Sequence, residues 1–269
     1  LADWNGLMIA ALARAAIIFD QPSWLELATR AYDFVATHMT VDGRLRHAYR
    51  DGQAKAPATA SDYANMIWGA LRLHEATGEQ RFIEQAIQWT DVLDRHYWVE
   101  DAGGYATSAD DTADVIVRLR PGTDDATPNA NAIMIANLTA LAGLTEEPRY
   151  NERANTTLAA FTGDIWRNIV AHTGLLAGAI DLIAPQMIVV AGKELTGGKE
   201  LMTVIRSISL PGAVQYGLDR TCKPALASLS SKQPVNQHAT GYACLGPQCS
   251  APLTDAAEFA KTLKTQRRL

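Results

Sequence analysis

Two aspartates stand where helices are predicted to begin, and they are the residues best suited to acid–base chemistry. Asp62 follows Thr59 in a capping-box pattern, and Asp125 lies in the stretch Asp124-Asp-Ala-Thr-Pro-Asn-Ala-Asn131. Two carboxylates across a cleft act as general acid and base in glycoside chemistry. The alternative is that Asp62 and the nearby asparagines only cap helices and favour the helix dipole.

Other polar and aromatic residues are predicted to ring the same cleft as ligands for a sugar or a sugar acid. They lie at helix starts or on the extended segments between helical hairpins: Trp4, Asn5, Arg46, Tyr49, Tyr63, Arg118, Arg120, Asn129 and Asn131. Arginine binds planar oxyanions bidentately, which suits a sugar acid or a phosphorylated sugar. The alternatives are arginines on exposed strands and aromatic rings of the core.

The histidines and cysteines show no metal-ligand or redox spacing, so neither a metal nor a cofactor is expected. His47 is the one histidine predicted to lie near the cleft, and His172 is predicted to be buried. Cys244 and Cys249 have four residues between them instead of the two of a redox or zinc motif. A total of three cysteines also argues against a secreted fold stapled by disulfides.

The elements that would position these residues form a repeat. A helix that is apolar all round is followed by an amphipathic helix, and this cycle occurs three times. Leu12, Leu71 and Leu138 occupy equivalent positions, with spacings of 59 and 67 residues. Such periods are typical of repeat architectures. The pattern predicts an inner ring of apolar helices covered by an outer layer of amphipathic helices.

The cycles also predict local details. The first helix, which begins near Asp3, is expected to be buried on every side. The third cycle is expected to begin at Pro128 with Thr127 as its cap, and a last inner helix is predicted over 166–184. A short hairpin is predicted from 103–107 and 115–119.

The composition changes after the last inner helix, which predicts two domains. Residues 1–185 are predicted to form an incomplete (α/α)6 toroid of about seven helices, and residues 186–269 a small α/β appendage. Within the appendage, strands at 187–191 and 213–217 flank a helix at 199–209. Residues 220–250 are predicted to be irregular, and a final helix is predicted over 254–265.

Composition limits the classes of partner. The net charge is −5 and the only basic pair is the closing Arg267-Arg268, so a nucleic-acid partner is not expected. The longest apolar run, Leu7–Phe19, has 13 residues, which is short of the roughly 20 that span a bilayer. We therefore expect no membrane partner and a cytoplasmic location. Because the first residue is Leu and a helix pattern begins almost at once, we expect the chain to be a piece of a longer protein.

Several motifs in combination resemble a known family. They are Trp4-Asn-Gly-Leu-Met-Ile-Ala-Ala-Leu, Tyr49-Arg-Asp-Gly52, Glu75-Ala-Thr-Gly78, Asp125-Ala-Thr-Pro-Asn-Ala-Asn131 and the tail from Tyr242 to Asp255. The chain resembles the C-terminal part of the thioredoxin-domain proteins of the spermatogenesis-associated type. The resemblance implies a toroid like that of six-hairpin glycosidases and N-acylglucosamine 2-epimerases. It also implies a thioredoxin-like domain of the parent chain as a partner.

The resemblance leaves two hypotheses for function. One is a carbohydrate-active module, either a glycoside hydrolase or a sugar isomerase or epimerase, with Asp62 and Asp125 as acid and base. The other is a non-catalytic scaffold that presents partners to the thioredoxin-like domain. The loop at Asp125 lacks the two glycines and the serine of the family pattern, which favours the second hypothesis. The ring of Asp, Arg and Tyr residues favours the first.

Overall fold

The computed structural model of this chain describes residues 1–220 and 226–266. Within these ranges the α-helices are α1 (Ala2–Phe19), α2 (Pro22–His38), α3 (Ala60–Thr77), α4 (Gln80–His96), α5 (Ala130–Thr145), α6 (Pro148–Arg167), α7 (Thr173–Ile183), α8 (Gly198–Ser207), α9 (Ala227–Ser230) and α10 (Ala256–Thr265). The strands are β1 (Thr40–Val41), β2 (Arg44–Arg50), β3 (Gln53–Pro57), β4 (Gln186–Ala191), β5 (Val214–Leu218), β6 (Thr240–Leu245) and β7 (Gln248–Cys249). A 3-10 turn, Ile169–His172, precedes α7. Cys222, Arg267 and Arg268 lie outside the described residues.

The first seven helices form the predicted two-layer arc. Helices α1, α3, α5 and α7 pack side by side as an inner layer, and α2, α4 and α6 each pack against the inner helix before them. The loops after inner helices have two residues, whereas longer segments precede α3 and α5. The inner helices therefore run in the same direction. Their N-terminal ends lie together on one side of the arc, which we call the mouth. The mainly helical, incomplete toroid is confirmed.

The seam between α1 and α3 is unusually close because glycine faces backbone there. A Cβ at Gly6 would lie 2.4 Å from the carbonyl carbon of Asn65. Gly69 meets the side chain of Ile9 on the same seam, where a Cβ would lie 3.1 Å from it. Such contacts leave no room for a side chain at Gly6.

The prediction that α1 is buried on every side is wrong. Trp4 is 63% exposed, Met8 59% and Phe19 63%, and together they form an apolar stripe. Helix α1 packs mainly against α2 and α3, with fewer contacts to β2 and α8, and no described inner helix covers its other side. By length and composition α1 could cross a membrane, and both core helices of soluble proteins and N-terminal signal sequences have the same length and composition.

Capping side chains set the helix starts, and one observed start differs from the predicted one. The capping box of Thr59 and Asp62 at α3 is confirmed, and the helix ends at Gly78, whose φ is 74°. Helix α5 begins at Ala130, because the side chain of Asn129 accepts a hydrogen bond from the Ala132 N–H. The predicted start at Pro128 with Thr127 as cap is therefore wrong.

The single helix predicted over 166–184 is also wrong. Helix α6 continues to Arg167, and the chain then leaves helical geometry at Asn168, where φ is −154°. The Asn168 side chain accepts from the Ala171 N–H, which starts the 3-10 turn, and α7 follows. A local cap thus interrupts a continuous apolar pattern.

The segments between hairpins differ from each other. The extended stretch Arg44–Arg50 is confirmed as β2, the middle strand of an antiparallel sheet in the order β1-β2-β3. The hairpin predicted from 103–107 and 115–119 is wrong, because these segments meet through only one backbone hydrogen bond, from Thr107 N–H to Leu119 O at 2.7 Å. Ile116 is 99% exposed in this loop.

A second sheet covers the C-terminal ends of the inner helices. Its strand order is β5-β4-β6-β7, with β4 parallel to β5 and antiparallel to β6. The predicted strands and intervening helix are confirmed as β4, α8 and β5. The prediction that 220–250 is irregular is wrong, because β6 lies there and is buried over most of its length. Pairing with a strand some fifty residues earlier is not visible in local sequence.

This sheet lies between two cores. Val189, Ala191 and Tyr216 join the main helical core, while Ile188 and Val190 pack with α8 and α10 on the other side. Because one sheet face shares a core with the toroid, helices and sheet stabilise each other. The division into two domains at residue 185 stays a prediction.

A buried charge network fixes the sheet to the helices. The Glu75 carboxylate on α3 accepts from Arg14 Nη1 of α1 at 2.8 Å and from the Gln215 N–H of β5 at 2.7 Å. Arg72 Nη1, on α3, donates to the other Glu75 oxygen. One carboxylate therefore joins two inner helices to a strand.

Candidate active site

The mouth of the toroid is organised around the carboxylate of Asp62. It is fully buried and accepts hydrogen bonds from the Thr59 N–H at 2.7 Å, the Thr59 hydroxyl at 2.9 Å and the Asp3 N–H at 3.0 Å. Burial raises the pKa of Asp62 above its ordinary value, although the bonds from Thr59 and His47 act in the opposite direction. Asp62 is thus the N3 residue of the capping box of α3, and its carboxylate also lies at the centre of the candidate site.

His47 completes a dyad with this carboxylate. It lies on β2, and its Nδ1 is 3.0 Å from each of the two carboxylate oxygens of Asp62. When Asp62 is ionised, its oxygens can only accept, so Nδ1 of His47 carries the proton and Nε2 of the neutral ring is an acceptor. No described residue bonds Nε2, and 31% of the His47 side chain is exposed. An oriented imidazole with one open nitrogen can accept or donate a proton.

Asp3 adds a second carboxylate beside the dyad. One side-chain atom each from Asp3, His47 and Asp62 lie within 4.8 Å of one another, which is a spacing that a metal ion could bridge. However, the oxygens of Asp62 already accept from N–H and O–H donors. The arrangement therefore fits proton transfer better than metal coordination.

The second predicted catalytic residue, Asp125, lies exposed in the loop before α5, and no described side-chain hydrogen bond joins it to Asp62. Its neighbour Asp124 is the residue that organises this loop. Asp124 accepts from the Asn129 N–H at 3.0 Å and from the Gly174 N–H at 2.6 Å, so it holds the starts of α5 and α7 together. Partial burial favours a higher pKa, but these N–H donors bind the ionised form and bring the pKa of Asp124 below its ordinary value.

Three predicted ligands lie near the dyad with accessible side chains. Trp4 and Asn5 belong to the first turn of α1, directly after Asp3. Arg46 lies one residue from His47 on β2, is partly exposed, and has no side-chain partner among the described residues. These side chains are available to a molecule bound at the mouth.

Three other predicted ligands are buried and serve the fold. Tyr63 is fully buried and its hydroxyl accepts from the Leu45 N–H at 2.9 Å, so its ring cannot stack on a sugar here. Asn131 is bonded on both sides to the backbone of Tyr105, at 2.7 and 3.0 Å. Asn129 caps α5. For these residues the structure favours the alternative of core and cap.

The remaining predicted ligands hold loops. Arg118 donates to the carbonyl oxygens of Ser108 and His96, at 3.0 and 2.8 Å. Arg120 lies over the ring of Phe161, with its Cζ 4.5 Å from the centroid.

Tyr49 also contacts its own scaffold. Its ring packs edge-on against Phe34, 5.1 Å away, on the side of α2. It therefore faces an outer helix and not the dyad.

With this geometry defined, comparison with solved structures gives the class of fold. An α-mannanase of glycoside hydrolase family 76 from Bacteroides thetaiotaomicron matches with a TM-score of 0.56 at 14% identity, over 68% of this chain and 52% of that one. A cellobiose 2-epimerase from Spirochaeta thermophila matches with a TM-score of 0.54 at 18% identity, over 68% and 53%. The fold is an α/α toroid of the glycosidase and epimerase kind, of which this chain contains an arc.

Sequence comparison supplies the nearer relatives. The chain is 28% identical to spermatogenesis-associated protein 20 from Homo sapiens and 30% identical to that from Rattus norvegicus, each over 98% of this chain and 36% of the relative. The predicted family resemblance is confirmed. The chain spans about a third of the length of these curated relatives. No family model matches it.

The sequence predicts Asp62 as a catalytic candidate and His47 near the cleft, but it does not pair them. Asp3 is predicted only as the start of the first helix, and Asp125 is the predicted catalytic residue instead of Asp124. One signal for Asp124 was available, because it precedes the capping Asn129 by five residues, within reach of a turn. The pairing of His47 with Asp62 depends on how β2 crosses the start of α3.

Proposed function

We propose that the mouth of this toroid binds a carbohydrate and transfers a proton on it, as a sugar isomerase or epimerase does. The observation that supports this is the dyad of His47 and Asp62, with the open Nε2 at the N-terminal ends of the inner helices. The similarity to the cellobiose 2-epimerase and to a D-mannose isomerase, with a TM-score of 0.51 at 17% identity, agrees in fold.

In this mechanism His47 Nε2 takes the proton at C2 of an open-chain aldose, next to the carbonyl group. The Asp62 carboxylate stabilises the imidazolium through its bond to Nδ1 and keeps the ring in one orientation. Negative charge then develops on the carbonyl oxygen of the sugar. The N-terminal ends of the inner helices carry partial positive charge and favour such an oxygen at the mouth. Return of the proton to the opposite face of C2 gives the epimer. Its return to C1, with transfer of the C2 hydroxyl proton to the former carbonyl oxygen, gives the ketose isomer.

Glycoside hydrolysis fits the site less well. That reaction uses two available carboxyl groups, one on each side of the bond that breaks. Asp62 is fully buried and saturated with donors, and Asp125 is exposed with no described contact to it. Asp3 is the remaining carboxylate near the dyad.

The test is deuterium exchange at C2. The protein is incubated in D2O with D-mannose, D-glucose, cellobiose or N-acetyl-D-glucosamine, and loss of the C2 proton signal is followed by NMR. We expect exchange with at least one sugar, and a decrease of about 100-fold or more in His47→Gln, which removes the base. Asp125→Asn is the matched control and retains the wild-type rate. Absence of exchange with all four sugars, or an unchanged rate in His47→Gln, would refute the proposal.

A partner-binding module is the second candidate, and the exposed stripe of Trp4, Met8 and Phe19 on α1 favours it. A large contiguous apolar patch on a monomer often marks an interaction surface. The partner we propose is the thioredoxin-like domain of the parent protein. Calorimetric titration of that purified domain into this chain should show binding that Met8→Glu abolishes. Equal binding to both forms would exclude this surface.

A further inference from the structure

Asp3, the second residue of α1, is held against the dyad by its own backbone. Its N–H donates to Oδ1 of Asp62 at 3.0 Å, and Nδ1 of His47 lies 3.0 Å from the same oxygen. The start of α1 is thus fixed beside the imidazole ring. The side chain of Asp3 takes no part in this contact and is free to serve another purpose.

The carboxylates of Asp3 and Asp62 differ in their hydrogen bonding. Asp62 is fully buried, and both of its oxygens accept hydrogen bonds from the protein. Asp3 is partly exposed, its Oδ1 accepts from the Trp4 N–H at 2.8 Å, and no described donor bonds its Oδ2. An ionised carboxylate can only accept hydrogen bonds. The open oxygen of Asp3 is therefore available to a hydroxyl group of a molecule at the mouth.

The spacing lets Asp3 and His47 act on neighbouring atoms of one molecule. A side-chain oxygen of Asp3 lies within 4.8 Å of a ring nitrogen of His47. A group that transfers a proton comes within about 2.6–3.2 Å of the atom that it serves. In an open-chain aldose, the C2 hydroxyl oxygen is bonded to the carbon from which His47 removes a proton. Asp3 can therefore reach this hydroxyl group while His47 contacts C2.

Formation of a ketose needs a second proton carrier. The proton of the C2 hydroxyl group has to move to the former carbonyl oxygen on C1, while the imidazole already holds the proton from C2. The oxygens of Asp62 are occupied by donors of the protein. Among the described residues beside the dyad, Asp3 is the carboxylate with an open oxygen.

We propose that Asp3 is a catalytic residue that carries this hydroxyl proton, so that the site converts an aldose with a free C2 hydroxyl group into the 2-ketose. The inference rests on the proposed removal of the C2 proton by His47. Breaking the C2–H bond leaves an enediolate with its charge on the C1 oxygen. Asp3 takes the proton from the C2 oxygen and gives it to the C1 oxygen, which moves the charge to the C2 oxygen. The carbonyl group then forms at C2 as C1 takes the proton from His47.

Every bond that breaks in this sequence is matched by one that forms. The C–H and O–H bonds at C2 break, the C–H and O–H bonds at C1 form, and both Asp3 and His47 return to their initial protonation states. When the hydroxyl proton is not transferred, the enediolate is protonated at C2 instead, which exchanges the C2 proton or gives the epimer. Asp3 therefore determines whether the product is a ketose.

The test follows two NMR signals in D2O. Loss of the C2 proton signal reports on His47, and appearance of the carbon signals of a ketose reports on Asp3. The substrates are D-mannose, D-glucose, cellobiose and N-acetyl-D-glucosamine, of which the last has no C2 hydroxyl group. We expect ketose from at least one of the other three. Exchange without ketose would overturn this inference and leave the proposed function standing, whereas absence of any exchange would refute both.

Asp3→Asn separates the two steps, because it keeps the backbone N–H bond to Asp62 but cannot take a proton. Ketose formation should fall by about 100-fold or more, while C2 exchange should stay within about threefold of the wild-type rate. Asp3→Ser should give the same result and serves if Asp3→Asn does not fold.

Asp42→Asn is the matched control. Asp42 is exposed in the turn before β2, and asparagine tolerates its φ of 52°. This variant should leave both rates unchanged. An unchanged ketose rate in the Asp3 variants, or equal losses of ketose formation and C2 exchange, would show that Asp3 does not carry the hydroxyl proton.

Discussion

Helix α3 buries one carboxylate near each of its ends, and the two are held by different donors. Asp62, at the mouth, accepts backbone N–H groups, a hydroxyl and an imidazole. Glu75, at the sheet, is held by Arg14, Arg72 and one backbone N–H. Arginine keeps its charge at all ordinary pH values. The sheet end is therefore held by a permanently charged ion network, whereas the carboxylate at the mouth is held by backbone N–H groups, a hydroxyl and a partly exposed imidazole.

The histidines of the two ends show the same contrast. His74, on the same helix, is buried, and its Nδ1 lies 2.7 Å from the Tyr216 hydroxyl. Burial lowers the pKa of His74 to about 4, so it stays neutral at physiological pH. His47 instead keeps part of its ring open to solvent. A buried histidine with a single partner serves packing, while the oriented and accessible one is available for chemistry.

The largest expected loss of stability comes from removing the charge of Glu75 from the ion network at the sheet end. Glu75→Gln leaves Arg14 and Arg72 without their counter-ion, and we expect the free energy of unfolding to fall by about 3 kcal/mol or more. Glu79→Gln is the matched control, because Glu79 makes an exposed pair with Arg81 and should matter by less than about 0.5 kcal/mol. Urea unfolding monitored by circular dichroism measures both. Equal losses in the two variants would show that the ion network of Glu75 stabilises the fold no more than an exposed ion pair does.

A smaller loss of stability is expected at the close contact between α1 and α3, which involves no charged group and lies near the mouth. Gly6→Ala places a methyl group against the backbone of Asn65, and we expect a loss of about 2 kcal/mol as α1 moves away from α3. Gly163→Ala, on α6, meets no atom within 4 Å and should instead stabilise by about 0.5–1 kcal/mol through helix propensity. Opposite signs in thermal unfolding would confirm the close seam, and a gain in both would disprove it.

The smallest effect tests how N–H groups hold a carboxylate at the mouth. Asp124→Asn weakens the caps of α5 and α7, and we expect a loss of about 1 kcal/mol at pH 7. The folded pKa of Asp124 lies below its ordinary value of 3.8, so its stabilisation is present above pH 3.8 and is lost as the pH falls through the folded pKa.

The difference between the wild type and Asp124→Asn should therefore shrink toward zero at acid pH in urea unfolding. Asp125→Asn, one residue away and exposed, is the control and should behave as the wild type throughout. A difference that stays constant from pH 7 to the acid limit would mean that the charge of Asp124 contributes nothing.

The sequence predicted the toroid because its signals are local and periodic. The alternation of apolar and amphipathic helices, the capping box at Thr59 and the glycine at residue 78 each act within a few residues of where they lie. Contacts between distant segments were not accessible in this way. The strand β6 and the pairing of His47 with Asp62 depend on how remote parts of the chain meet.

Prediction from residue type alone also assigned too many residues to the candidate site. Tyr63, Asn129 and Asn131 are types that bind sugars, but their side chains are consumed by hydrogen bonds to the backbone. A polar residue at a helix start can cap the helix or bind a ligand, and for these three residues the bonds to the backbone leave only the structural use. The loop before α5 shows this within two neighbours, since Asp124 is bonded to two helix starts and Asp125 is left to solvent.

The bond between Cys244 and Cys249 has a consequence for how this protein is handled. It joins paired positions of β6 and β7, with Cys249 exposed and Cys244 buried. Reducing compartments keep thiols free, and oxidising ones allow the bond to form. One amino-acid sequence thus gives two covalent species that differ by two hydrogen atoms. A preparation that contains both species has two populations that differ in the conformational freedom of the β6–β7 hairpin. Intact-mass analysis distinguishes them.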